Sequence, residues 1–213
     1  MYAGPGAPTD VLDRAAAAGV RVHVLAAGVV ERVAGTANPQ PVLAVVRAVD
    51  VPLARLADAR LVLVCVDVRD PGNAGTVVRC AEAAGADGII CCAGTVDLYN
   101  PKTVRATAGS IFHVPVVAGG DAMEVLDQMS TWGVRRLGTT VGAGRPYTEV
   151  DLTVRTAFVL GNEATGLPSR VFAGLDEVVT IPMAGRTSSL NVGMAAAVLC
   201  FEAARQRTMG RDR

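Results

Sequence analysis

From Leu61 to Val68 the chain reads Leu-Val-Leu-Val-Cys-Val-Asp-Val, a nearly continuous apolar run of the kind that forms a strand buried on both faces. Beyond it, apolar runs and helical patterns alternate. The spacing predicts a helix from about Gly75 to Ala84, a strand over 88–92, a helix near Lys102 to Ser110 and a strand over 113–117. A helix from Asp121 to Trp132 follows, then strands over 135–141 and 156–161, a short helix after Gly166, a strand over 177–181, a final helix from Leu190 to about Arg207, and a polar tail over 208–213. Alternation of this kind gives an α/β fold built on a parallel sheet. Ahead of it lies a smaller α/β piece: a helix over Val11 to Ala18, a strand over Val20 to Leu25 and a second over Pro41 to Val49, with a connecting segment from Asp50 to Arg60. The expected division is a partial substrate-binding domain over 1–55 and a main domain over 56–213. Open parallel sheets bind ligands beyond the carboxyl ends of their strands, so the loops after residues 68, 141, 161 and 181 are where chemistry belongs.

Composition narrows the possibilities. With 213 residues, 51% of them hydrophobic and 19% charged, the chain has enough apolar surface for one full core and a small appendage. No apolar run approaches the ~20 residues that span a bilayer, and the N-terminus lacks a basic segment followed by a hydrophobic one. Five cysteines sit inside apolar segments without zinc-type spacing and read as buried thiols of a reducing cytoplasm. The two histidines, His23 and His113, are too few and too far apart for a metal cluster, so no metal is expected. A formal net charge of zero argues against broad non-specific binding of nucleic acid but leaves room for a local patch. The cations are almost all arginine, with Lys102 the only lysine. Guanidinium forks suit bidentate phosphate contacts, although a GC-rich genome gives the same bias without any function.

Three loops carry candidate chemistry. The first is Asp67-Val-Arg-Asp-Pro-Gly-Asn73-Ala-Gly75-Thr-Val-Val-Arg79, in which glycines permit tight turns, Asn73 offers an amide and Arg79 lies one turn into the expected helix. It lacks the spacing of a dinucleotide or P-loop motif, and on spacing alone an ordinary strand-to-helix turn with a surface arginine is the simpler explanation. The second is Gly161-Asn-Glu163-Ala-Thr-Gly166-Leu-Pro168, where Glu163 near a helix start has an alternative role in complementing the helix dipole. The third is Ile181-Pro-Met183-Ala-Gly185-Arg186-Thr-Ser-Ser189-Leu190-Asn191-Val192, with Ser188 or Ser189 the expected N-cap of the last helix.

In this order and at these separations, NxGxxxR, GNEATGLP and IPMAGRTSSLNV resemble the three signature motifs of the SpoU (TrmH-like) branch of the SPOUT RNA methyltransferases. The likeness runs from about Leu61 to Arg207 and takes in the intervening stretch from Tyr99 to Ser110. It implies what periodicity does not: a C-terminal deep trefoil knot in the parallel-sheet domain, a departure from the general rule against knots. It also implies S-adenosylmethionine bound by the second and third motifs, with contacts at Thr140, Gly161, Ile181, Met183, Ser189 and Leu190, and a homodimer whose last helix contributes to an interface near the active site. The implied reaction is in-line attack of a ribose 2′-oxygen of RNA on the sulfonium methyl. Arg79 would engage the 2′-hydroxyl or its neighbouring phosphate, Asn73 and Asn191 would hold the substrate side, and Glu163 and Ser189 would order the loops. A guanidinium stays protonated in nearly all protein settings, so Arg79 is expected to stabilise the developing alkoxide rather than act as a base.

The N-terminal piece departs from the pattern. The stretch from Arg21-Val-His-Val-Leu through Gly35-Thr-Ala-Asn38-Pro39-Gln40-Pro-Val-Leu-Ala-Val-Val resembles only the second half of the L30-like substrate-binding domain of many relatives, so either the start lies upstream of Met1 or the RNA is gripped by a reduced module. Ribosomal RNA is favoured as substrate over transfer RNA. A non-catalytic RNA-binding ribosome-assembly factor of the same fold is the alternative; Asn73, Arg79, Glu163, Ser189 and Asn191 are all present, which favours the enzyme. A nucleotide-binding oxidoreductase would need a dinucleotide fingerprint that the sequence lacks.

Overall fold

The computed structural model describes residues 1–35 and 38–209. Thr36 and Ala37, part of the L30-like stretch, and residues 210–213 of the expected polar tail lie outside the described residues. The chain divides into two compact units, Met1–Ala48 and Val49–Arg213.

The first unit is a three-stranded sheet of order β2-β1-β3 with two helices: β1 (Tyr2–Ala3), α1 (Thr9–Ala17), β2 (His23–Val24), α2 (Val29–Val33) and β3 (Val42–Leu43). Each strand pairs over two residues only, so the strands expected over 20–25 and 41–49 are much shorter than their apolar runs. Val24, Val45 and Val46 are 87%, 84% and 60% exposed, and apolar side chains without a partner layer cannot hold a longer ladder. The expected helix over 11–18 begins at Thr9, and α2 and β1 were not legible in the pattern.

The second unit is a seven-stranded parallel sheet of order β6-β5-β4-β9-β7-β10-β8. Its elements are β4 (Leu61–Cys65), α3 (Pro71–Ala83), β5 (Gly88–Cys91), α4 (Pro101–Ala106), β6 (Val116–Ala118), α5 (Ala122–Thr131), β7 (Arg135–Thr140), β8 (Arg145–Pro146), β9 (Thr156–Leu160), β10 (Glu177–Thr180) and α6 (Val192–Met209). All five residues of β4 are buried. Leu61, Leu63 and Cys65 pack with α3 and α6 residues such as Val77, Val78, Leu199 and Cys200. Val62, Val64 and Val66 face α5 through Val125, Leu126 and Met129. The period-two alternation of one central strand therefore feeds two cores, one on each side.

Several element ends differ from expectation. β4 stops at Cys65, short of Val68, because Asp67 takes a left-handed φ of 59°, a backbone that ends a strand. The helix expected from Gly75 begins at Pro71, since Asp70 caps it by accepting the Asn73 N–H (2.8 Å) and Pro71 supplies a preset first turn. The segment near Lys102–Ser110 is a six-residue helix and then a 3-10 turn over Ser110–Phe112, and the short helix expected after Gly166 is a 3-10 turn over Ser169–Gly174.

All five cysteines are free; four are buried and Cys80 is half-buried. Burial, the largest influence on each, pushes the Cys92 and Cys200 thiols up to about 12. Among the described residues no group of three or more His, Cys, Asp or Glu is placed to hold a metal, and no helix is long and apolar enough to cross a membrane.

Candidate active site

Four central strands end together. Register pairs Cys65 with Leu160, Gly138 with Val159 and Thr180 with Thr140, so the loops after β4, β9, β7 and β10 leave the same edge of the sheet. A cavity of about 450 Å³ lies there, within the range of small-molecule sites. Thr140, Gly161, Ile181, Met183, Ser189 and Leu190, the six positions singled out for a cofactor, all line it, and so does Glu163. Leu167, Phe172 and Leu199 add apolar wall, while Thr139 and Ser188 add hydroxyls.

The loop after β9 is tightly wound. Asn162 and Gly166 exchange two backbone hydrogen bonds (3.0 and 2.9 Å), and Gly166 sits at φ 71°. A Cβ on Gly161 would come within 2.4 Å of the Gly166 carbonyl carbon and 2.5 Å of the Leu167 nitrogen, so only glycine allows the loop to fold back on its own strand. Asn162 organises the turn: its Oδ1 accepts the Ala164 N–H (2.9 Å) and Thr165 N–H (3.1 Å), and its Nδ2 donates to the Asp67 carbonyl (2.8 Å). Sequence reasoning missed Asn162. The available signal was an asparagine just past a strand end and between two glycines, Gly161 and Gly166, a composition that suits an Asx turn.

Glu163 ties this loop to the one after β4. It accepts hydrogen bonds from Asn73 Nδ2 (2.9 Å), the Asp70 N–H (3.2 Å) and the Arg69 N–H (3.3 Å). Partial burial is the largest single influence on its carboxyl and acts to raise its pKa. The hydrogen bonds from Asn73 and from backbone N–H groups together outweigh it and leave the group below the usual carboxylate range. The chain of contacts continues, because Asn191 Nδ2 donates to Asn73 Oδ1 (2.6 Å). Asn191 also caps α6, its Oδ1 accepting from the Gly193 N–H (2.8 Å). The expected serine cap is therefore replaced by Asn191, one residue before the helix starts at Val192. Ser189 makes no side-chain hydrogen bond among the described residues and keeps its hydroxyl at the cavity wall.

Glu163, Asn73 and Asn191 thus form one line across three loops. Arg79 does not join it. With α3 starting at Pro71, Arg79 lies two turns in, and six residues beyond Asn73 place it about 9 Å up the axis. It is exposed, makes no hydrogen bond or ion pair among the described residues, and does not line the cavity. Its helix packs against the start of α6, where the Cys80 thiol lies 3.6 Å from the Gly193 carbonyl oxygen and a Cβ on Gly193 would meet Thr76 at 2.6 Å.

Residues 60–201 match the model of the SpoU rRNA Methylase family. The 23S rRNA (guanosine(2553)-2′-O)-methyltransferase RlmP of Bacillus subtilis is 37% identical over 183 residues, 86% of this chain and 72% of that protein. The crystal structure of the SpoU methyltransferase AviRb from Streptomyces viridochromogenes superposes with a TM-score of 0.84 at 29% identity, covering all of this chain (100%) and 83% of AviRb. That of the AdoMet-bound rRNA methyltransferase from Sinorhizobium meliloti gives 0.80 at 29% identity, over 96% and 79% of the two chains. Three loops converging at one sheet edge in this sequence order, with the motif residues at these spacings, have the same meaning as the match across residues 60–201: the chain belongs to the SpoU rRNA Methylase family.

Proposed function

We infer that this protein transfers a methyl group from S-adenosylmethionine to a ribose 2′-hydroxyl of ribosomal RNA. The observation that carries the reading is the hydrogen-bonded line Glu163–Asn73–Asn191, which ties the three motif loops together beside a cavity whose wall includes Glu163. Relatives named as 23S rRNA 2′-O-methyltransferases, in Bacillus subtilis and in Streptomyces viridochromogenes, support ribosomal RNA as the substrate.

The residues present fit the cofactor. Ile181, Met183, Leu190 and Leu167 offer apolar surface to an adenine, the tight Gly161–Gly166 turn brings backbone polar groups to the wall, and Thr140 and Ser189 add hydroxyls. When bound, S-adenosylmethionine supplies an electrophilic methyl group on a sulfonium and needs no metal. The chain's own part is positioning and electrostatics. Glu163 fixes the Asn73 amide, and Asn73 and Asn191 orient the ribose side of the substrate. Arg79 stands outside the cavity of its own chain, so its permanent positive charge would reach the alkoxide, which develops as the hydroxyl is deprotonated by solvent or a phosphate oxygen, only across the proposed dimer interface.

The same reading includes a deep trefoil knot in the C-terminal part of the sheet domain, a reduced L30-like RNA-binding module ahead of it, and a homodimer. The dimer is supported by Met194, Phe201 and Met209, which stand 61%, 52% and 56% exposed along one side of α6 while the opposite side is buried in the core. Since α3 packs on α6, such an interface would bring Arg79 close to it. The test is a thermal-shift comparison: S-adenosylhomocysteine raises the melting temperature and NAD does not. A rise with NAD alone, or with neither, would remove the methyl-transfer reading.

A further inference from the structure

The small sheet of residues 1–48 leaves the side chains of its outer strand β2 exposed. Ala3 is buried, and so is Val30 of α2, which a Cβ on Gly4 would meet at 2.8 Å. Tyr2, the alternate residue of β1, points the other way and is 38% exposed. Register sets Tyr2 between His23 of β2 and Leu43 of β3. The rings of Tyr2 and His23 stack, with centroids 5.3 Å apart and planes inclined by 26°. That separation is close to the spacing of neighbouring strands, so the two rings stand up from the sheet side by side. β2 is an edge strand and His23 is exposed. The stack therefore ends on an imidazole face, with no strand beyond it among the described residues.

The acids of residues 1–48 lie on the two helices, beside Arg14 and Arg32, and not on the strands. The carboxylate side chains of residues 1–48 are Asp10 and Asp13 on α1 and Glu31 on α2. The strands and the segments flanking them, 18–28 and 38–48, carry Arg21 and Arg47 and no acid. The His23 N–H donates to the Met1 carbonyl (3.0 Å), which continues the extended pairing back toward Arg21. Period-two alternation then puts Arg21 on the same side as His23.

We propose that the open end of the Tyr2–His23 stack binds an unpaired nucleobase of RNA as a third ring, with Arg21 taking a neighbouring phosphate. The proposal rests on the reading that the protein modifies RNA and names where the N-terminal unit grips it. Aromatic rings accept any base by its π-face, and arginine supplies the electrostatic part of single-strand binding. A duplex is excluded from this contact because both faces of its bases are already covered by their neighbours. A protein partner would need a broader apolar centre than one ring face.

The test uses the full chain with a short single-stranded RNA carrying 2-aminopurine, and with the same RNA annealed to its complement. Wild type binds the single strand more tightly than the duplex and alters the 2-aminopurine emission on stacking. His23→Ala and Tyr2→Leu weaken single-strand binding by about tenfold or more and lose the emission change, and His23→Phe retains both. Arg21→Ala lowers the salt dependence of log K by about one phosphate contact. S-adenosylhomocysteine affinity stays at the wild-type level in every variant. Single-strand affinity unchanged in His23→Ala, a surface change on an edge strand, overturns the proposal, as does a wild type that binds no single strand or prefers the duplex. Failure of the broader reading shows separately, as a wild-type chain that binds the oligonucleotide with stacking yet transfers no methyl group to ribosomal RNA.

Discussion

Glu163→Gln removes one charge and almost no volume from the junction between two motif loops, which makes its consequence calculable. The carboxylate holds Asn73 Nδ2 at 2.9 Å and the backbone N–H groups of Asp70 and Arg69 at 3.2 and 3.3 Å. Hydrogen bonds to a charged group contribute up to ~3 kcal/mol each, but this side chain is exposed and water replaces much of what is lost. A net loss of about 1.5 kcal/mol follows, which for a chain of this size lowers the melting temperature by about 4 °C. The sign with pH is also fixed. The folded-state carboxyl titrates below its ordinary value, so its contribution is fully present above the unfolded value of about 4.3 and disappears as pH falls through the lower folded value. Thermal unfolding followed by circular dichroism from pH 7 downward therefore gives two curves separated at neutral pH that converge as pH falls past the ordinary carboxylate range and through the lower folded value, where protonated Glu163 resembles glutamine. In parallel, methyl transfer drops because Asn73 loses its anchor. Equal stability of the two proteins at pH 7, or a gap that does not change with pH, refutes the role given to this carboxylate.

Two further substitutions probe the neighbouring parts of the account. Arg79→Ala abolishes methyl transfer while calorimetric affinity for S-adenosylhomocysteine stays near wild type, because Arg79 is exposed and does not line the cavity; lost cofactor affinity would instead make it part of the pocket. Phe201→Asp places a charge in the exposed apolar side of α6; on the proposed homodimer it yields a monomer in sedimentation velocity where wild type sediments as a dimer, with activity falling alongside. An unchanged sedimentation profile would remove α6 from the interface.

The main sheet was legible because burial on both faces leaves a strong mark. The Leu61–Val66 run feeds one core with its odd residues and another with its even ones, and a run that is apolar throughout has few other uses. Strand order was not legible, since alternation along the chain says nothing about β9 inserting between β4 and β7. The start of α3 was misread because Gly72 and Gly75 look like loop residues. Gly75 is instead a contact point, where a Cβ would sit 2.4 Å from the Ala106 Cβ and 2.9 Å from the Thr103 carbonyl oxygen, so α3 and α4 approach closely. In the N-terminal unit two-residue strands and a five-residue helix are too short for any periodicity to register. Within the site, the motif residues marked loops that meet at one cavity, but the bonds between them did not follow from spacing. The Asn73–Asn191 contact joins positions 118 residues apart, and Asn162, whose amide links the turn after β9 to Asp67, carried only the weak signal of an Asx turn. Arg79 stands apart from the hydrogen-bonded line for a geometric reason: Asn73 lies in the first turn of α3, and the six helical residues from it to Arg79 carry the guanidinium away along the axis.

The central claim is most directly tested by incubating the purified protein with methyl-labelled S-adenosylmethionine and ribosomal RNA, with transfer RNA in parallel, and digesting the product in alkali. The account predicts label in ribosomal RNA, retained in an alkali-resistant dinucleotide, because a methylated 2′-oxygen can no longer attack the adjoining phosphate. Label released with ordinary mononucleotides and carried on a base, or no label in either RNA, would contradict it.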